Sequence, residues 1–212
     1  MKERPILFSG PMVRAILSGA QTQMRRALKP QPYFDNRGLL WWEWSRSAGS
    51  ASIDPVGQPS DEWLKHCPYG APGDVLWVRE TWAPCEAPIR SGFIQYAADG
   101  AIGRRVSLLG VWVGKPSKWR PSIHMPRWAS RLSLRIKSVR VERLQEISDV
   151  DAISEGIAHN VLRDGGYSLP DTSHYHASDP RASFCSLWES INGAGSWAAN
   201  PLVWVVEFEV MK

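Results

Sequence analysis

The segment from Ser130 to Leu144 constrains this chain more than any other. Leu132, Leu134 and Ile136 share one face of an extended strand, and the register then slips so that Val139 and Val141 carry the apolar face onward. A strand changes face only by admitting an extra residue, so the slip predicts a β-bulge near Lys137-Ser138. A bulged strand bends, which lets a sheet curl toward a barrel. The final run, Leu202 to Val210, alternates too, with Leu202, Trp204, Val206, Phe208 and Val210 on one face. Val75 to Glu80 reads as a further strand after a Pro72-Gly73-Asp74 turn, and 93–97 and 108–113 are weaker candidates.

Three helices have local signatures. Ser9 or Gly10 can cap the first, with Pro11 at its first position, Val13, Ile16 and Leu17 at helical spacing, and Gly19 as a left-handed stop. Residues 20–26 then read as a loop. Ser148 with Asp151 resembles a capping box for a second helix ending at Gly156. Asp179-Pro180 opens a third, with Phe184, Leu187, Trp188 and Ile191 on one stripe and Gly193 at its end. Residues 33–65 hold Trp41, Trp42 and Trp44 beside a Ser/Gly/Pro-rich run, and read as an insertion with a short hairpin. Strands outnumber helices, so the expectation is a single α+β domain over 1–212, a small barrel with flanking helices and long loop insertions.

With 25 Lys+Arg against 21 Asp+Glu, the chain is mildly basic, which permits a nucleic-acid partner without requiring one. Cys67, Cys85 and Cys185 are widely spaced with no Cys-x-x-Cys, and Gly10-Pro11 interrupts the short N-terminal apolar stretch. A reduced, cytoplasmic setting with no membrane span is the expectation. His66-Cys67, His174 and His176 lack zinc-site spacing, so neither a metal nor another cofactor is expected.

Four segments together resemble ASCH-domain proteins of the PUA-like superfamily, in particular a phage and prophage branch. They are Pro11 to Gly19 with Thr22 and Arg25-Arg26; Pro72 to Trp82; Arg120 to Arg131; and Ser190 to Gly193 with Asn200-Pro201 through to Phe208. The resemblance spans the chain in the family's order. It implies a PUA-like barrel with a cleft between the first helix, the loop after it and the sheet, and an association with RNA. One bacterial subgroup resembles acetylcytidine amidohydrolases, in which a loop Gly-x-Lys-x-x-Thr-x-Arg and a later Glu perform the chemistry. Laid on this chain, Gly19 and Arg26 keep the frame and Glu155 the acid, while the Lys position falls on Gln21 and the Thr position on Met24. Gln has no titratable amine and a thioether cannot attack a carbonyl as an alkoxide does.

The leading expectation is therefore a module that binds RNA or a modified nucleoside, with Gln21, Thr22, Met24, Arg25, Arg26 and Glu155 at the ligand. Glu155 would be the catalytic acid only if the site is active. Lys115, Lys118, Trp119, Arg120, His124, Arg127 and Trp128 interleave basic and aromatic side chains, a mixture that suits stacking and backbone contact with single strands. They serve equally as a Trp-rich loop packed on the barrel. Arg131, Ser133, Arg135 and Lys137 form a basic stripe that suits phosphate or simply a solvated strand face. Arg25 and Arg26 suit phosphate or a helix C-terminus; Glu155 suits a base amino group or an ordinary ion pair with Arg. Glu207 and Glu209 read as solvated. An acetylcytidine-type hydrolase, a weak ribonuclease and a phage-encoded protein-interaction module remain as alternatives.

Overall fold

The computed structural model describes the chain except residues 35, 37–39, 44–49, 53–64, 85–93, 101–117, 161–164, 170–171 and 212. In chain order the elements are β1 (Glu3–Leu7), α1 (Gly10–Leu17), β2 (Gln23–Ala27), β3 (Tyr33–Phe34), β4 (Leu40–Glu43), β5 (Ser50–Ser52), β6 (Val75–Arg79), β7 (Trp82–Pro84) and β8 (Ile94–Tyr96). They continue with β9 (Ser133–Arg143), α2 (Asp149–Ser154), β10 (Ala158–Asn160), β11 (Gly166–Ser168), α3 (Pro180–Asn192) and β12 (Leu202–Val210). The fold is α+β, centred on a five-stranded sheet of order β1-β6-β9-β12-β2.

The bulge falls at the expected place. Along β9 and β12, Glu207 faces Ser138 and Phe208 faces Ile136, which leaves Lys137 as the extra residue. On either side of it Leu134, Ile136, Val139 and Val141 are all buried, so the slip keeps one apolar face continuous around a bend. Gly19, Gly156 and Gly193 end their helices at φ of 78°, 97° and 96°, where a side chain would clash with its own carbonyl.

Residues 20–26 are not the expected loop. Gln23–Ala27 form β2, an antiparallel edge strand that pairs with β12 from Glu207 to Val203. The Gly19 turn reverses the chain at the sheet edge, where pairing satisfies backbone groups that a loop there would leave buried and unmet. Among the described residues the sheet does not close into a barrel. Its two edges nevertheless approach, because Arg26 Nη2 donates to the carbonyl of Leu7 at 2.8 Å and its guanidinium lies 5.6 Å from the Phe8 ring centre.

The insertion is a three-stranded sheet, β3-β4-β5, rather than one hairpin. Trp42 anchors it: the indole is buried, meets Trp204 edge-on at 5.5 Å, and donates to the carbonyl of Pro30. Of the weaker strand candidates, β8 corresponds to 93–97, while 108–113 lies outside the described residues. No helix among the described residues is long and apolar enough to cross a membrane.

Candidate functional site

Register decides which side chains meet. Arg140 on β9, Val205 on β12 and Arg25 on β2 lie in one row, flanked by Glu142 opposite Val203 and by Glu207 opposite Gln23. Because strand side chains alternate, Gln23, Arg25, Arg140, Glu142 and Glu207 rise from one face, and Met24, Val139 and Val206 turn to the other. Helix α2 contributes Asp151, and Glu155 caps its C-terminus.

Arg25 is the hub. It donates from Nη1 to Glu155 Oε1 at 2.9 Å and from Nε to Glu142 Oε1 at 3.0 Å, and its Nη2 is 3.2 Å from Asp151 Oδ2. Arg140 donates to Glu142 at 3.1 Å, to Asp151 at 3.1 Å and to Glu207 at 2.6 Å. Gln23 Nε2 adds a bond to Asp151 at 3.2 Å. Four carboxyl groups thus face two guanidiniums, in a setting that is dry at Arg25 and Glu155 and open to water at Arg140 and Glu207. Burial pushes the Glu155 carboxyl up, against the pull of the Arg25 charge and hydrogen bond. Burial also pushes on Asp151, but the Gln23 amide and the Arg25 charge outweigh it and hold that carboxyl below its ordinary value.

Above this network lies a shallow cleft with a cavity volume of about 30 Å³, lined by Met12 of α1, Arg25 and Arg26 of β2, Glu155, and Phe184, Leu187, Trp188, Ile191 and Asn192 of α3. The α3 stripe read from sequence supplies its apolar wall. The Trp188 indole N–H is buried with no hydrogen-bond partner among the described residues.

Of the six expected ligand residues, Arg25, Arg26 and Glu155 come together here. Met24 does not: it is 1% exposed on the inner face of β2, packed in the core, because alternation sends it opposite to Arg25. Gln21 is buried too, its Nε2 donating to the Gln23 carbonyl at 3.1 Å, and it lies outside the cleft lining. Thr22 is exposed, and its backbone ties α2 to β12 through Ser154 and Phe208. A phosphate contact by Arg25 is excluded by the carboxylates that already occupy its guanidinium.

The expected nucleic-acid residues lie elsewhere. Arg131 is held by Glu80 at 2.8 Å and Asp99 at 2.8 Å, Arg135 is 3.6 Å from Glu209, and Arg127 bonds Glu3 at 2.8 Å. Glu207 and Glu209 are thus ion-paired rather than simply solvated. Lys118, Trp119, Arg120 and Trp128 are exposed, and Lys115 lies outside the described residues. Glu142, Arg140, Asp151, Glu80 and Asp99 were not foreseen as site residues. The available signal was the slip at Lys137, which places Arg140 and Glu142 together on the outer face.

Comparison with protein-family models, with curated proteins and with solved structures finds no match.

Proposed function

We propose that this chain is an ASCH-type, PUA-like module that holds a nucleobase, of RNA or of a free modified nucleoside, in the cleft between α1, β2 and α3. The observation that carries the reading is the Glu155 carboxylate, 2% exposed and paired to Arg25, in the lining of a cleft walled by Phe184 and Trp188. Such a wall suits the flat face of a base, and the carboxylate accepts from an exocyclic amino group. The cavity volume of about 30 Å³ is that of a water molecule, so a base enters only when the α3 side chains that wall the cleft swing outward. The four sequence segments and the edge-to-edge approach of the curled sheet through Arg26 add support.

Holding is favoured over cutting. The positions that resemble the amidohydrolase Lys and Thr carry Gln21, tied to the Gln23 carbonyl, and Met24, packed in the core, so neither supplies a nucleophile or a base to the cleft. Calorimetric titration of the chain with guanosine, cytidine and acetylcytidine tests the reading. One of these should bind, and Glu155→Ala should lose that binding while keeping its circular dichroism spectrum. If none binds, the proposal fails. Turnover of acetylcytidine by the unaltered chain, abolished in Glu155→Ala, would replace it with an amidohydrolase.

A further inference from the structure

A second surface carries chemistry that the cleft does not use. Trp82 is 1% exposed and forms a small core of its own with Met125 and Ala129. Trp128 stands edge-on to it, ring centres 5.7 Å apart, and is itself 72% exposed. Arg120 is fixed beside this pair. Its backbone exchanges both hydrogen bonds with Trp82, at 3.2 and 2.8 Å, and its guanidinium lies 5.0 Å from the Trp82 ring centre. Two 3-10 turns, Ser122–His124 and Arg127–Ala129, frame the platform from below.

The ion pairs sort the cations of this region. Arg127 and Arg131 are neutralised by Glu3, Glu80 and Asp99, so they shape the surface without adding charge to it. Lys118 and Arg120 have no carboxylate partner among the described residues, and Trp119 beside them is 39% exposed. An indole left open to water on a rigid base, beside cations that have no carboxylate partner among the described residues, complements a chain of stacked rings linked by anions.

We propose that the Trp128–Arg120 face is a stacking platform for single-stranded nucleic acid, separate from the cleft and independent of what the cleft holds. Fluorescence anisotropy with labelled single-stranded oligouridine and oligoadenosine, at about 50 and about 200 mM salt, tests it. The full chain should bind, and Trp128→Ala should weaken binding by about 5- to 150-fold, the loss of one stacked base. Trp128→Phe should recover part of that loss, and Arg120→Gln should lower the salt slope by about one. Trp128→Ala should keep whatever nucleoside binding the cleft shows, which keeps this result apart from the cleft reading. Trp128 is mostly exposed, so its variants keep the fold, and thermal melting confirms it. Absence of oligonucleotide binding at low salt overturns the inference. So does Trp128→Ala binding unchanged, or polyglutamate competing as well as RNA, since either outcome reduces the face to a nonspecific cationic or protein-docking patch.

Discussion

Arg25 and Glu155, 130 positions apart, meet at 2.9 Å with side-chain exposures of 0% and 3%. The pair joins an edge strand to the end of a short helix, and Glu142 and Asp151 complete the shell around the same guanidinium. Removing the cation strands the buried Glu155 and leaves Glu142 and Asp151 to Arg140 alone. Arg25→Met should therefore destabilise the chain by about 3–5 kcal/mol in urea unfolding, the usual cost of breaking a buried pair from one side. Arg25→Lys should recover only part of this, because one ammonium cannot reproduce the three-way fork. A loss under about 1 kcal/mol in Arg25→Met would show that the network contributes shape and not stability.

Two carboxyls of this network respond to pH with opposite signs. Burial raises Glu155 above its ordinary 4.5, so between 4.5 and the raised value the folded chain keeps a proton that the unfolded chain has released. Its stabilising contribution is full below that window and declines as pH rises through it. Asp151 is held below its ordinary 3.8, so its contribution is present above 3.8 and is lost as pH falls through the lowered value. The urea midpoint of the unaltered chain relative to Glu155→Gln should fall as pH rises from about 4 to about 7. Relative to Asp151→Asn it should fall on acidifying below about pH 4. A rise against Glu155→Gln over the first range would mean that Arg25 prevails over burial and that Glu155 is ionised.

Gly156 places Glu155, and two separable effects hold it there. Its φ of +97° disfavours any side chain, and an added Cβ would stand 3.1 Å from Ala15 Cβ, 3.2 Å from Leu169 Cδ1 and 3.3 Å from Gln21 Cβ. Gly19 has the conformation (φ +78°) without the crowding, with nothing within 4 Å of an added Cβ. Gly19→Ala should cost about 1 kcal/mol from the backbone alone. Gly156→Ala should cost about 1–3 kcal/mol more, because α1, Leu169 just after β11 and the Gln21 segment must give way. It should also weaken any cleft ligand. Equal losses in the two variants would show that the packing around Gly156 relaxes freely.

These glycine stops, the Ser148 and Asp179 caps and the bulge were legible because each rests on local backbone rules. Strand β2 was not. Gln23-Met24-Arg25-Arg26 lacks apolar alternation because its outer residues are buried against acids supplied by β9 and α2, more than a hundred positions away. The same distance hid the network itself. Asp151 shows the limit of a local motif: its N–H bonds Ser148 as a cap requires, but its carboxylate turns to Gln23, Arg25 and Arg140. The stripe of Arg131 and Arg135 was read correctly as outward-facing, and only the fold could show that Glu80, Asp99 and Glu209 lie against it.

Trp42 ties the inserted sheet to the main core, and its loss should be felt by both. The side chain is 2% exposed, with its ring against Trp204 and its Nε1 bonded to Pro30. Trp42→Ala should cost about 3–5 kcal/mol, the range for a large aromatic removed from a core. Trp42→Phe should cost less, since the edge-on contact survives and only the hydrogen bond is lost. Trp42→Ala within about 0.5 kcal/mol of the unaltered chain in urea would show that the insertion is an appendage.

Lys137 is the residue on which the strand geometry turns, yet its side chain is exposed and belongs to no ion pair among the described residues. Lys137→Ala should therefore change stability by no more than about 0.5 kcal/mol. Deleting the residue is a different perturbation. Without the extra position, either Leu134 and Ile136 rotate out of the core or Val139 and Val141 do, because each one-residue shift exchanges the two faces of a strand. Either way two fully or nearly buried aliphatic side chains leave the core, at about 1.5–3 kcal/mol each, before any loss of pairing to β6 or β12 is counted. The deletion should abolish cooperative unfolding, with the near-ultraviolet dichroism of the buried tryptophans lost and part of the far-ultraviolet signal retained. A deletion variant that unfolds cooperatively near the midpoint of the unaltered chain would mean that the bulge can migrate along β9, and that the bend does not depend on where the extra residue sits.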